Sequence, residues 1–275
     1  LNEELGNQRS YANTLTNIGT VYVQLEDYQK AGQYFRDALD LAESQGNQTL
    51  IAQNLMNLGN NHFMLEEIGQ SEAYYRRALR IYEEADYEPG IMDAYAKLAN
   101  IYGTNLDYAT ALDYFNRALS RAETLDNKGI MADCLCSIGD IISVAPDSLL
   151  IRNNIRPEDR YAEAIRLEEK GLKILTESQI LSRVLWCQNA LSRTYEKAGD
   201  YVKAYEAFKQ YFAIKDSLVG EETRKKFMRK AVEYEFEKKE ALLRYEQQLT
   251  AEQLEKQKLF THQQQQLLDL KEQAL

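Results

Sequence analysis

Apolar and small positions recur at helical spacing from Tyr11 to Leu39, "YANTLTNIGTVYVQLEDYQKAGQYFRDAL", and most of this pattern returns forty residues later and again forty after that. Aligned on one small position, Gly19, Gly59, Ala99, Gly139 and Ser192 share a register. Tyr22, His62, Tyr102, Ile142 and Tyr195 stand three residues further on, and Tyr28, Ile68, Tyr108 and Tyr201 nine further on. Then come Ala31, Ser71, Ala111, Ala164 and Ala204, an aromatic pair (Tyr34-Phe35, Tyr74-Tyr75, Tyr114-Phe115), and Ala38, Ala78 and Ala118. Self-similarity at such a period marks stacked repeats, each burying its apolar face against its neighbours. The pattern predicts five helix-turn-helix units over residues 9–220. The fourth carries an insertion at about 143–159, which moves Tyr161 to 22 residues past Gly139. The insertion reads either as a loop with a role of its own or as a surface excursion that packs Leu149, Leu150 and Ile151 back onto the repeats.

A glycine inside a helix costs about 0.8–1.0 kcal/mol relative to alanine. Its recurrence at one register therefore predicts a second helix approaching too closely for a side chain. The alanines of the second helix supply the matching surface, and the large aromatics are expected between neighbouring pairs. Asp27, Asp107 and Asp200 each precede a tyrosine at the expected start of a second helix, where an aspartate caps free N–H groups. Composition agrees with an all-α chain: Leu, Ala, Glu, Gln, Arg and Lys dominate, and the prolines are three, none of them after Pro157. With 275 residues and 44% hydrophobic content, the chain is long enough to bury a substantial interior.

These registers resemble the tetratricopeptide repeat in a longer form of about forty residues, with departures: Leu15 stands where that family often has Trp, and the closing Pro is missing. The resemblance implies a right-handed superhelical solenoid whose first helices line a concave groove. Counted from the small position, the groove residues are Asn13, Asn17, Thr20 and Gln24, then Gln53, Asn57 and Asn60, then Asp93, Lys97 and Asn100. Asp133, Ser137 and Asp140 follow in the fourth unit, and Trp186, Asn189 and Arg193 in the fifth. A carboxamide offers both donor and acceptor, so it pairs with a peptide backbone whatever the side chains. Asn17 with Asn57, and Asn60 with Asn100, recur at repeat spacing and are placed to clasp an extended segment, a use of groove asparagines that the resemblance implies. The plainer alternative is a merely solvated polar face, although asparagine is a mediocre helix former.

Two ends extend this reading. "LNEELGN" (1–7) matches "LAESQGN" (41–47) one repeat earlier, so residues 1–8 are expected to close a preceding repeat, with further repeats upstream. After Gly220 the chain is charged, Gln-rich and free of glycine and proline, which predicts a long helical connector over 221–275. Leu242, Tyr245 and Leu249 fit a coiled-coil stripe, but Glu252 and Lys256 interrupt it. A weak parallel coiled coil, and with it a homodimer, stands beside a single solvated helix. "KQYFAIKDSL" followed by "YEFEKKEALL" resembles the junction of bacterial tetratricopeptide sensor proteins, especially of Bacteroidetes. In those proteins a helical connector leads to a membrane segment and a kinase, cyclase, phosphatase or DNA-binding output.

Charge and chemistry narrow the function. The net charge is -10, and residues 221–275 hold 11 basic and 11 acidic residues, so the excess lies in residues 1–220. An acidic body repels phosphate backbones, which argues against nucleic acid as a partner. Cys134, Cys136 and Cys187 are odd in number and lack a framework spacing, so they read as small buried hydrophobes without a disulfide scaffold. His62 replaces a repeat tyrosine and is expected in the core. His262 lacks the surroundings of a phosphoacceptor, and Arg224, Lys225, Lys226, Arg229 and Lys230 read as a solvated helix face. No phosphate loop, nucleophile elbow or metal motif is present, so no cofactor, metal site or catalytic role is expected. The sequence thus predicts a protein- or peptide-binding module serving as sensor or scaffold in bacterial signalling, on either side of a membrane that it does not itself contact. Two alternatives are a structural scaffold assembled through its tail and a short-peptide-binding regulator.

Overall fold

A computed structural model describes residues 2–178 and 181–216, all within the first of two compact units, Leu1–Leu218. The expected connector at 221–275, its coiled coil, the basic cluster from Arg224 and His262 lie outside the described residues. Every regular element among those described is helical. The chain runs α1 (Asn2–Gln24), α2 (Tyr28–Ser44), α3 (Gln48–Met64), α4 (Ile68–Glu84), α5 (Glu88–Thr104), α6 (Tyr108–Thr124), α7 (Lys128–Val144), α8 (Asp147–Arg152), α9 (Arg160–Glu177) and α10 (Leu181–Lys197), followed by helix over 201–216. They form five consecutive pairs: α1/α2, α3/α4, α5/α6, α7/α9, and α10 with the helix over 201–216. This is the all-α solenoid that the repeat predicted. α1 continues through Gly6 and Asn7 without the turn that Gly46 and Asn47 make.

The forty-residue period is built from two periods of twenty. From α2 to α7 each helix has 17 residues, and a three-residue turn joins each to the next. One residue of each turn is left-handed: Glu26, Gly46, Glu66, Asp86, Leu106 and Asp126 all have φ between 48° and 65°. A single left-handed residue ends the helix and redirects the chain. The next helix is then capped: Asp27, Asn47, Asp107, Asn127 and Asp200 each accept a hydrogen bond from the N–H three residues on. Glu67 and Tyr87 make no such bond. The aspartate caps are those anticipated from sequence.

The small register does what its recurrence implied. A Cβ on Gly19 would lie 2.6 Å from the Phe35 ring, and one on Gly59 2.4 Å from the Tyr75 ring. The aromatics therefore cover the small residue of their own repeat. This corrects the expectation that they fill gaps between neighbouring pairs; Tyr22 on Tyr34 and Tyr102 on Tyr114 are likewise stacked within one repeat. Ala31, Ser71, Ala111, Ala164 and Ala204 are all buried, and the Ser71 hydroxyl donates to the Gly59 carbonyl (2.8 Å). His62 is buried and stacked on Tyr74 at 5.1 Å, with Nδ1 paired to Glu67. Between repeats one and two, Thr16 donates to the Asn54 carboxamide oxygen at 3.0 Å, both side chains buried.

The insertion folds as α8 and a 3-10 turn, Pro157–Asp159. Leu149 and Leu150 pack inward, but Ile151, expected beside them, is 62% exposed. In helical geometry three consecutive residues span 200° of the surface, so one of the three must face away from a flat neighbour.

Candidate functional site

First helices of successive repeats touch: α1 with α3, α5 with α7, and α7 with α10. Second helices pack chiefly on the first helix of their own repeat and of the next. The first helices thus form a row in which α3 and α5 are linked chiefly through α4, and the polar residues named from sequence face solvent along it. Six residues before the small position stand Asn13, Gln53, Asp93, Asp133 and Trp186; one residue after it stand Thr20, Asn60, Asn100, Asp140 and Arg193. These, with Asn17, Asn57, Lys97 and Asn189, are all exposed or half-exposed.

Their hydrogen bonding differs. The side chains of Asn17, Asn57 and Asn100 have no partner among the described residues. Asn60 is already used, since its oxygen accepts from the Tyr75 hydroxyl at 2.8 Å. Thr20 donates to the Thr16 carbonyl. Asp133 pairs with Arg183 at 3.1 Å and Asp140 with Arg193 at 3.0 Å. Partial burial raises the Asp133 carboxyl above its ordinary range, against the opposing pull of Arg183 and Lys97.

At the C-terminal ends of α5 and α7 the row opens into a cavity of about 360 Å³, bordered by α10 and the start of α6. It brings together Asn100, Ser137, Asp140, Trp186 and Arg193 from the sequence prediction. Asn13, Asn17, Thr20, Gln53, Asn57 and Asn60 lie on α1 and α3, away from it, and Asp93, Lys97, Asp133 and Asn189 are not in its lining. Thr104, Tyr108, Val144 and Lys197 also line it and were not anticipated there. The signal for three of them was present, because Thr104, Val144 and Lys197 occupy the register, five past the small position, that placed Gln24 in the groove. Tyr108 enters from a second helix, which a count along first helices does not reach.

Beneath this part of the row, α7 and α10 are fastened along their length. Between the two ion pairs, Cys136 and Cys187 form a disulfide with a Cα–Cα separation of 5.9 Å, and Lys197 reaches the Ser143 hydroxyl at 3.5 Å. All three cysteines are fully buried as expected, but the expectation of no disulfide is corrected: helix packing joins two residues 51 apart in sequence, and only Cys134 is free. α9 lies hard against this bridge. A Cβ on Gly171 would meet Cys136 Sγ at 2.5 Å and the Ala132 carbonyl at 2.9 Å, so only glycine fits.

Glu168 of α9 is fully buried beside it. Burial pushes its carboxyl up to about 8, with Asp140 adding to the rise and Arg193 and Lys197 opposing it. The Thr194 hydroxyl lies 3.1 Å from both Glu168 Oε1 and the Ala190 carbonyl. One hydroxyl proton satisfies one acceptor. Thr194 is therefore shared between Glu168 and Ala190, and its donation to Glu168 opposes the rise of that carboxyl.

Residues 10–84 and 48–124 match the family model of the tetratricopeptide repeat. No curated protein matches the sequence significantly. Among solved structures the fold is similar to that of BtubC (BKLC) from P. vanneervenii, at 18% identity over 78% of this chain and 83% of that one, with a TM-score of 0.59. It is also similar to a Rap protein complexed with Competence and Sporulation Factor, at 17% identity over 73% of this chain and 52% of that one, TM-score 0.60. A third is a signal transduction ATPase of the STAND type with a tetratricopeptide repeat sensor from Pyrococcus horikoshii, at 16% identity over 74% of this chain and 30% of that one, TM-score 0.57. At these identities the likeness is one of fold.

Proposed function

We propose that the chain is a non-catalytic module that binds an extended peptide or protein segment along the row of first helices. It would act as the sensor or scaffold of a signalling protein and pass the binding event on through residues 221–275. The observation that carries this reading is the largely polar face of the first helices α1, α3 and α5, where Asn17, Asn57 and Asn100 keep unpaired carboxamides. An unpaired amide at a helix surface offers a peptide backbone one donor and one acceptor without demanding a side chain. A structural neighbour with a sensor of the same repeat supports the sensory role. A second reading, direct capture of a short free peptide, is favoured by two Rap structures described with bound factor or peptide.

The test uses fluorescein-labelled 12-residue peptides selected from a random library against the full chain. Replacing Asn17, Asn57 and Asn100 together by alanine removes several backbone hydrogen bonds at about 0.5–1.5 kcal/mol each, so affinity is expected to fall at least about tenfold. Thermal stability should move little, because surface positions usually stay within about 0.5 kcal/mol. Unchanged affinity for every selected peptide contradicts the groove reading. Asn60 is left out because its loss would strand the buried Tyr75 hydroxyl.

A further inference from the structure

The polar face changes character at its last repeat. At the register six before the small position, four repeats carry Asn13, Gln53, Asp93 and Asp133, whereas the fifth carries Trp186, which is 42% exposed. One residue and five residues past the small position, the first four repeats carry no cation at all. α10 carries Arg193 and Lys197 at those two places, and both line the cavity with Trp186. A solvated face gains nothing from a half-exposed indole, and the 42% exposed Val144 on the same cavity adds apolar surface to it. Arg193 gives Asp140 one oxygen contact at 3.0 Å, and a guanidinium has five N–H donors. Lys197 reaches a hydroxyl, lies near the buried Glu168, and makes no ion pair among the described residues. One acidic and two basic side chains thus leave a local positive charge on a chain whose net charge is -10.

We infer that this cavity takes an extended peptide segment carrying an Asp or Glu side chain close to a bulky apolar one. The carboxylate meets Arg193 and Lys197, the apolar group lies on Trp186 and Val144, and Asn100 on the facing wall holds the backbone. The inference rests on the groove reading above and names the chemistry that the groove selects. Arginine and tryptophan are the side chains that most often dominate such interfaces. The ion pairs and the disulfide between α7 and α10 hold the cavity in shape before binding, which limits the ordering cost.

The experiment selects displayed random 12-residue peptides, fused so that none has a free C-terminus, on the full chain. The winners are synthesised as C-terminal amides, and affinity is read by fluorescence polarisation. The expected result is enrichment of Asp or Glu beside Leu or an aromatic residue. Lys197→Glu and Trp186→Ala each weaken binding about tenfold or more, and Lys197→Arg retains it. Trp186 is the single tryptophan of the chain, so its emission shifts on binding. Winners without an acid, or affinity unchanged by Lys197→Glu, overturn this inference. The groove reading then stands or falls on the asparagine variants. Failure of the amidated winners to bind while free-acid forms do would also overturn it, assigning the carboxylate to a chain terminus. If selection yields no binder, both the inference and the groove reading fail.

Discussion

Reduction of the Cys136–Cys187 disulfide is expected to destabilise the repeat region by roughly 4 kcal/mol, the chain-entropy value for linking positions 51 apart. For a domain of this size that lowers the melting temperature by roughly 10 °C. In a repeat array each unit is held chiefly by its neighbours, so the loss should concentrate in α7, α9 and α10 and leave α2 to α6 folded longer. The prediction is checked by melting the chain with and without a reductant and by counting thiols in denaturant. One thiol, that of Cys134, is expected before reduction and three after it. Three thiols before reduction, in protein prepared without reductant, would show that the bridge does not form.

Glu168 gives the second large effect. Burial disfavours the carboxylate and pushes its folded pKa up to about 8, above the ordinary 4.5 of the free group. Between those values the folded chain keeps a proton that the unfolded chain has lost. Stability therefore falls as pH rises through that window and levels off above about 8. The full loss is on the order of 5 kcal/mol. Glu168→Gln keeps the hydrogen bond to Thr194, carries no charge and should flatten the profile, so that the variant is more stable than the parent at pH 9 and similar to it at pH 4.5. Denaturant titrations across pH measure both. A parent profile as flat as the variant's would mean that the carboxylate is stabilised in a way the buried geometry does not provide.

Much of the fold was legible because close packing leaves marks in sequence. Gly19 and Gly59 report where an aromatic ring presses on a helix, and Asp27 and Asp107 report where a helix starts. These are local demands repeated at a fixed period. The misses are non-local. The registers put α7 and α10 in adjacent units, but Cys136 stands three residues before Gly139 and Cys187 five before Ser192, so a count along registers does not pair them. Glu168 reads as one more charged residue of a helix until α10 is known to cover it. Ile151 looks like Leu149 and Leu150, and only the orientation of α8 separates them. The same limit applies to the groove. Its polar registers were readable one helix at a time, whereas the cavity depends on the ends of α5, α7 and α10 meeting and on Tyr108 entering from a second helix.

Partner binding on the row of first helices can be read out by photo-crosslinking. Library-selected peptides carrying a benzophenone at successive positions would be irradiated with the full chain, and the attachment points read by mass spectrometry. Adducts are expected on α3, α5, α7 and α10, with a cluster around Asn100 and Trp186. Adducts confined to the second helices α2, α4, α6 and α9 would contradict it.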